Sequence, residues 1–311
     1  MRSTGVGLKA AKAYAQILVA GGVSEHRVSV VSPAAAPDEK VSLTITFTQK
    51  RAKRPVAVIE SVSGKVSVGK SPSGMENAAR GQTLSSYTYL TTGAGSSVSL
   101  ALADGSYIAV DPNTKVLFGR MWLNDKLKRE VRINLLEGNF RTDVTKGGVS
   151  STFEVVTPTG IAGVRGTRFR VGYEGQKLMR LETLSGAVEL KGKKGTVWVK
   201  SGKGASVDAS GVPSKARSLL VAAEITKPLQ GDVPIGVKLE WKPVKSAIRY
   251  RVLIAQDAES ILQVHEYETS SPGIKLDRKL GAGKWYWRVI AVDAAGFSGF
   301  SSKVYSFEIK S

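Results

Sequence analysis

Thr157-Pro158-Thr159-Gly160-Ile161-Ala162-Gly163-Val164-Arg165-Gly166-Thr167-Arg168-Phe169-Arg170-Val171, near the middle of the chain, decides how the rest is read. Pro158 has no amide proton to give a helix, and Gly160, Gly163 and Gly166 interrupt an otherwise extended run. The reading is strand, tight crossing, strand, with the glycines letting backbone pass close to backbone. Beyond them Phe169 and Val171 alternate with Arg168 and Arg170, the period of a strand with one buried and one wet face. The glycine spacing is not that of a dinucleotide or P-loop motif, and no helical pattern follows to offer an N-terminus to phosphate. No nucleophile in the stretch is paired with a base.

The chain has 311 residues, which suits about two or three units. It has no cysteine, so a disulfide frame and a thiolate metal site are both excluded. The formal charge of +19 points to polyanionic partners: nucleic acid, anionic headgroups or cell-wall carboxylates. Arg51, Lys53 and Arg54, and separately Lys193 and Lys194, are candidates for anion contacts. The plainer reading of both clusters is solvated loop charge around strands. Neither contains a groove-reading helix or an aromatic stacking face, so no specific nucleic acid is expected. No apolar run reaches the ~20 residues of a membrane-crossing helix. Met1 to Gly7 lack the pattern of a secretory signal. His26 and His265 lie far apart in sequence and no two carboxylates are paired by spacing. The expectation is therefore a non-enzymatic chain with no metal and no cofactor.

Five stretches follow in order. Residues 1–49 read as a small α+β segment, with a helix over Val6 to Val19 and strands over Arg27 to Val31 and Val41 to Phe47. Residues 50–55 are a basic linker. Residues 56–210 are short strands at regular spacing, divided by turns such as Asp104-Gly105 and Gly147-Gly148, which predicts a β-sandwich or β-roll. Residues 211–226 read as a linker containing a short helix, Pro213 to Glu224, because Ala216, Leu219, Leu220 and Ala223 fall at helical spacing. Residues 227–311 read as a second β-sandwich. The fold class is mainly β.

Gly64-Lys65-Val66, Gly81-Gln82-Thr83-Leu84, Ser97 to Leu102 with Asp104-Gly105-Ser106, Leu136-Glu137-Gly138 and the opening stretch stand in an order that resembles the FecR domain of bacterial envelope proteins, over roughly Pro55 to Asp208. Within it Gly160, Gly163, Arg165, Gly166, Thr167 and Phe169 are the structural motif. The first segment, with Gly21-Gly22-Val23 and Arg27-Val28, is similar to the last third of an OmpA-like peptidoglycan-binding module. Ala10 falls where that family has its ligand-holding arginine, so the segment is a partial module. Val237 to Val244, Ala247 to Ile254 and, after a turn at Gly281 to Gly283, Trp285 to Asp293 resemble a fibronectin type III domain, with Trp241 and Tyr250 in its core. Trp285 and Trp287 are candidates for stacking on a sugar, although packing is expected for at least two of Trp285, Tyr286 and Trp287.

These resemblances imply a periplasmic or outer-envelope protein of a Gram-negative bacterium, its export signal upstream of this chain. The expected work is that of a scaffold or adaptor binding other envelope proteins, as part of a larger assembly. Peptidoglycan or glycan binding and FecR-type signal relay are the alternatives.

Overall fold

A computed structural model describes residues 28–31, 42–45, 57–123, 128–148, 151–175, 177–256, 258, 263–277 and 280–310. Every regular element among them is a strand. Among the described residues the two large hydrophobic cores are drawn from Ala57 to Val207 and from Ala223 to Ile309.

The first core lies between two sheets. The first sheet runs from Thr83–Leu84 through Ala57–Ser63, Ser97–Leu102, Tyr107–Val110, Arg129–Asp143, Arg168–Glu174, Leu178–Ser185 and Lys203–Val207 to Arg217–Ser218. The second runs from Met75–Asn77 through Val66–Gly69, Thr88–Thr92, Lys115–Leu123, Arg129–Asp143, Thr152–Val156, Gly160–Val164 and Ala187–Gly192 to Gly195–Lys200. Pairing is antiparallel except between Arg129–Asp143 and Thr152–Val156.

Arg129–Asp143 belongs to both sheets. Up to Glu137 it pairs with Lys115–Leu123, and from Gly138 it pairs with Arg168–Glu174. The sequence pattern reads as two strands, Glu130 to Leu136 and Gly138 to Asp143, whereas the fold bends one continuous strand across the sandwich. Gly138 is the corner: its φ is +89°, and a side chain there would collide with Thr114. Alternation along the strand then places Val131, Ile133, Leu135 and Phe140 in the core with Phe118, Phe153 and Phe169.

The glycine-spaced stretch becomes a strand, Gly160–Val164, between turns at Thr157–Thr159 and Arg165–Thr167. Its glycines serve different ends. A Cβ on Gly160 would sit 3.1 Å from Met179 Sδ and 3.2 Å from the Lys191 carbonyl, so close approach is required there. Gly166 has φ +67°, a left-handed turn. Gly163 corrects the sequence reading: a Cβ there meets nothing nearer than Glu189 at 3.7 Å, and its φ is ordinary.

The second core is also a sandwich. One layer contains Ile225–Lys227, Lys238–Trp241 and Gly273–Lys275; the other orders Asp232–Val233, Tyr305–Ile309, Gly283–Asp293, Ala247–Ala255 and Gln263–Thr269, with Ser298–Ser301 on Gly283–Asp293. Trp241 of one layer meets Tyr250 of the other edge to face at 5.3 Å, as core residues. Trp285 and Trp287 are buried in the same core, 5% and 0% exposed. That corrects the stacking expectation, since neither ring offers a face to a sugar.

The helix expected over Pro213 to Glu224 is absent. Arg217–Ser218 is instead an edge strand on Lys203–Val207, and Leu219 N–H donates to the Gly202 carbonyl. Ala223 and Ile225 are buried on either side of exposed Glu224, a two-residue alternation that leads into Ile225–Lys227. An open sheet edge supplied ladder bonds that outweighed the helical spacing. The two strands expected near the start are present as Val28–Val31 and Ser42–Ile45, and they pair antiparallel. The helix over Val6 to Val19 and the cluster Arg51, Lys53 and Arg54 lie outside the described residues.

Candidate functional site

The outward face of the first sheet carries a row of charges where a solvated face would be expected. Register sets Ala109, Arg141, Arg170, Glu182 and Gly204 side by side on neighbouring strands. Arg141 and Arg170 are direct opposites, which is unfavourable for like charges on their own. The compensation is partly Glu182, whose Oε2 lies 3.0 Å from Arg170 Nε, and partly the C-terminal sandwich.

The hairpin joining Gly283–Asp293 to Ser298–Ser301 sits on this row. Arg170 Nη2 donates to the carbonyls of Ser298 and Gly299, at 2.7 and 2.6 Å. Glu182 Oε1 accepts the N–H of Ser298 at 2.8 Å, and Arg180 Nε donates to the Ala295 carbonyl at 3.0 Å. Asp293 shapes the hairpin by accepting the N–H groups of Ala295 and Phe297, and its other oxygen lies 3.3 Å from Arg217. Gly204 leaves room for the buried Phe297 ring, which a Cβ would meet at 2.7 Å. Arg217 covers that ring at 5.6 Å.

A second group of charges adjoins the first. Arg251 pairs with Glu266 of its own sandwich and lies 3.6 Å from Asp111 of the other unit. Leu253 and Ile290 are buried on the same face as Arg251 yet belong to neither core. Arg288 lies opposite Leu253 on the neighbouring strand.

Burial dominates the electrostatics. It raises the carboxyl pKa of Glu182 against the pull of Arg170, and that of Asp111 against the pull of Arg251. It lowers the Arg170 guanidinium although Glu182 opposes the shift. Burial also lowers Arg251, but Glu266 and Asp111 more than reverse it. Such an interface gains little net stability from its charges, because desolvation offsets the attraction. It does specify one docking geometry, since any shift strands a buried charge.

Within the middle unit a separate polar knot fixes the loops. Arg129, 2% exposed, pairs with Asp104, and donates to Thr145 Oγ1 at 2.9 Å and the Thr145 carbonyl at 2.7 Å. Asp104 also accepts the Ser106 N–H, so the turn role read from the sequence stands beside that of counterion to Arg129. Sequence reading singled out neither Arg129 nor the interface arginines, because alternation marks Arg170 only as outward-facing.

Of the other predicted site residues, Thr167 and Phe169 are buried and Arg165 is exposed. Lys193 and Lys194 are exposed at the tip of the hairpin between Ala187–Gly192 and Gly195–Lys200. None of them takes part in the inter-unit bonds above. The exposed indole is that of Trp198, opposite Glu189 on the outer strand of the second sheet, which no sequence pattern had distinguished.

The family model described as FecR protein matches residues 88–189, so the middle unit contains a FecR domain. No curated protein matches the chain. Among solved structures, two of an anti-sigma-factor candidate from Parabacteroides distasonis ATCC 8503 are 17% identical, with 42% of this chain covering 59% of theirs and a TM-score of 0.36. The chain thus spans less than two thirds of their length. The chicken CNTN1 FN1–FN3 domains are 10% identical, with coverage of 82% and 98% and a TM-score of 0.26. The extracellular domain of the one-component system BT4673 from B. thetaiotaomicron is 6% identical, with coverage of 71% and 35% and a TM-score of 0.21. At these scores the overall superpositions carry no argument.

Proposed function

We propose that the chain is a FecR-type relay of the bacterial envelope, in which the state of the FecR-bearing unit is passed on through the orientation of the C-terminal sandwich. One observation carries the reading. Asp111, Arg170, Arg180 and Glu182, which make most of the polar contacts on the near side of the inter-unit face, lie within the FecR-matched residues 88–189, and Gly204 and Arg217 complete that side from beyond them. A relay needs two bodies with a defined but releasable relation. Ion pairs and backbone hydrogen bonds satisfy that better than a broad apolar seam would.

In this reading the partners are envelope proteins met in the periplasm, and the C-terminal sandwich is a fibronectin type III-like reader. The scaffold or adaptor reading uses the same surfaces without any change of state, while glycan binding has lost Trp285 and Trp287 as stacking residues. Deleting the chain in its native host and measuring the transcriptome separates the first two. A relay predicts that a restricted set of transcripts changes, and that Glu182→Gln, which loosens the clasp, changes the same set. Unaltered transcription together with loss of an assembled envelope complex would favour the scaffold and sink the relay.

A further inference from the structure

The second sheet of the FecR-bearing unit ends at Gly195–Lys200, a strand paired on one side only, to Ala187–Gly192. Its six residues make it the longest edge of that unit among the described residues, since the other edges, Met75–Asn77, Thr83–Leu84 and Arg217–Ser218, have three, two and two. It lies just beyond the FecR-matched residues 88–189.

Register fixes which backbone groups are open. Ser201 N–H donates to the Gly186 carbonyl, and the two-residue turn Lys193-Lys194 closes on Gly192 and Gly195. Bonded and non-bonded pairs alternate along an antiparallel ladder, so Val197 and Val199 bond to Ala187–Gly192, while Thr196, Trp198 and Lys200 turn their N–H and C=O groups outward. No hydrogen bond reaches those groups from another described residue. The side chains of the same three residues are exposed, and Val199 between them is buried. Trp198 is 59% exposed, at the middle of the open edge.

Charge here is one-sided. Lys191 on the neighbouring strand, Lys193 and Lys194 at the turn and Lys200 at the far end are exposed, and none has a carboxylate partner among the described residues. Glu189, opposite Trp198, is the one carboxylate that register sets beside the strand. Lysines on an edge keep out strands of like charge, including a second copy of this edge, whose lysines would stand across the seam. They do not keep out a strand of opposite charge. An edge that was only guarded would not carry an indole at its centre. A sugar stacks on an indole but offers no matching row of donors and acceptors, whereas an extended polypeptide about 4.8 Å beyond the strand supplies both contacts.

We propose that Gly195–Lys200 is a docking edge for an extended acidic segment of a partner protein, which adds a strand to the second sheet, rests a side chain on Trp198 and sets carboxylates near Lys193, Lys194 and Lys200. The clasp described above lies on the first sheet, so this inference stands whether the chain is a relay or a scaffold.

The test pans a phage library of random twelve-residue peptides on the full chain, then titrates the enriched sequences as synthetic peptides. The enriched set should be acidic, and each peptide should saturate one site per chain and slow hydrogen exchange at the amides of Thr196, Trp198 and Lys200. Trp198→Ala should weaken binding at least fivefold. Thr196→Pro removes one outward N–H and no bond to Ala187–Gly192, and should weaken it at least tenfold. The double variant Lys193→Glu, Lys200→Glu should abolish binding, whereas Lys245→Glu, exposed on the C-terminal sandwich, should bind as the wild type does. N-methylation of alternate peptide amides, made in both phases, keeps the charge, and one phase should fail to bind. No enrichment over a protein-free control overturns the proposal, as does an enriched set without net negative charge. Equal binding by both N-methylated phases would mean contact by charge alone and overturns it too. So does undiminished binding by both Trp198→Ala and Thr196→Pro, or a loss with Lys245→Glu as large as with Lys193→Glu, Lys200→Glu.

Discussion

Glu182 Oε1 accepts the backbone N–H of Ser298 at 2.8 Å, so a carboxylate on the FecR-bearing sheet holds a hairpin that belongs to the other core. The same carboxylate faces Arg170, which grips the Ser298 and Gly299 carbonyls. Two side chains thereby occupy one donor and two acceptors of the hairpin backbone.

Breaking one half of this clasp should be worse than removing both. Glu182→Gln strands the Arg170 charge, and Arg170→Met strands the Glu182 charge; each is expected to cost about 3–5 kcal/mol. The double variant Arg170→Met, Glu182→Met leaves no unpaired charge and should lose less than the two single losses combined. Urea unfolding of the four proteins measures the cycle. Strict additivity would mean that the two residues act independently and that the clasp is wrongly drawn.

The pH dependence has a definite sign. Burial raises Glu182 and Asp111 above their ordinary values of 4.5 and 3.8. The folded chain therefore keeps protons on these groups at pH values where the unfolded chain has released them. Their contribution to stability is fully present below those ordinary values and is lost as pH rises through the raised, folded ones. The facing charges that set the balance are Arg141, Arg170, Arg251 and Glu266. Exposed Asp208 and half-buried Glu240 shift downward and act in the opposite sense, so the informative quantity is a difference between proteins. From pH 4.5 upward, the stability of the wild type relative to Asp111→Asn, Glu182→Gln should fall as pH increases. A difference that is flat or rises with pH would contradict the assignment.

The three glycines of the central stretch should separate under substitution. Gly166→Val forces a β-branched residue into a left-handed conformation beside Lys146, at a cost of about 1–2 kcal/mol from the backbone before crowding is added. Gly160→Val meets Met179, Val207 and the Lys191 carbonyl, all near 3.2 Å. Gly163→Val has open space at ordinary contact distance and a strand conformation that valine favours, so less than about 1 kcal/mol should be lost. Thermal unfolding ranks the three. Equal destabilisation by all of them would show that their shared spacing, and not their separate surroundings, is what matters.

Much of the architecture could be read in advance because it rests on local patterns. The alternation of Phe169 and Val171 with Arg168 and Arg170, the Asp104-Gly105 turn and the Trp241 and Tyr250 positions each depend on a few neighbouring residues. The segment from Pro213 to Glu224 misled because apolar residues three and four apart satisfy a helix, while the edge that captured them lies elsewhere in the chain. Trp285 and Trp287 were ambiguous for a related reason: alternation assigns them to one common face, but not to a dry one or a wet one.

The clasp was beyond the reach of any such pattern. Arg170, Glu182, Arg251, Arg288 and Ser298 are distributed over the FecR-bearing sheet and the C-terminal sandwich, and only docking makes their charges neighbours. Strands, turns and the separate cores follow from the order of residues, because periodicity and backbone chemistry act over short distances. Tertiary structure alone decided which outward charges became buried, since desolvation depends on what the opposite surface brings to meet them.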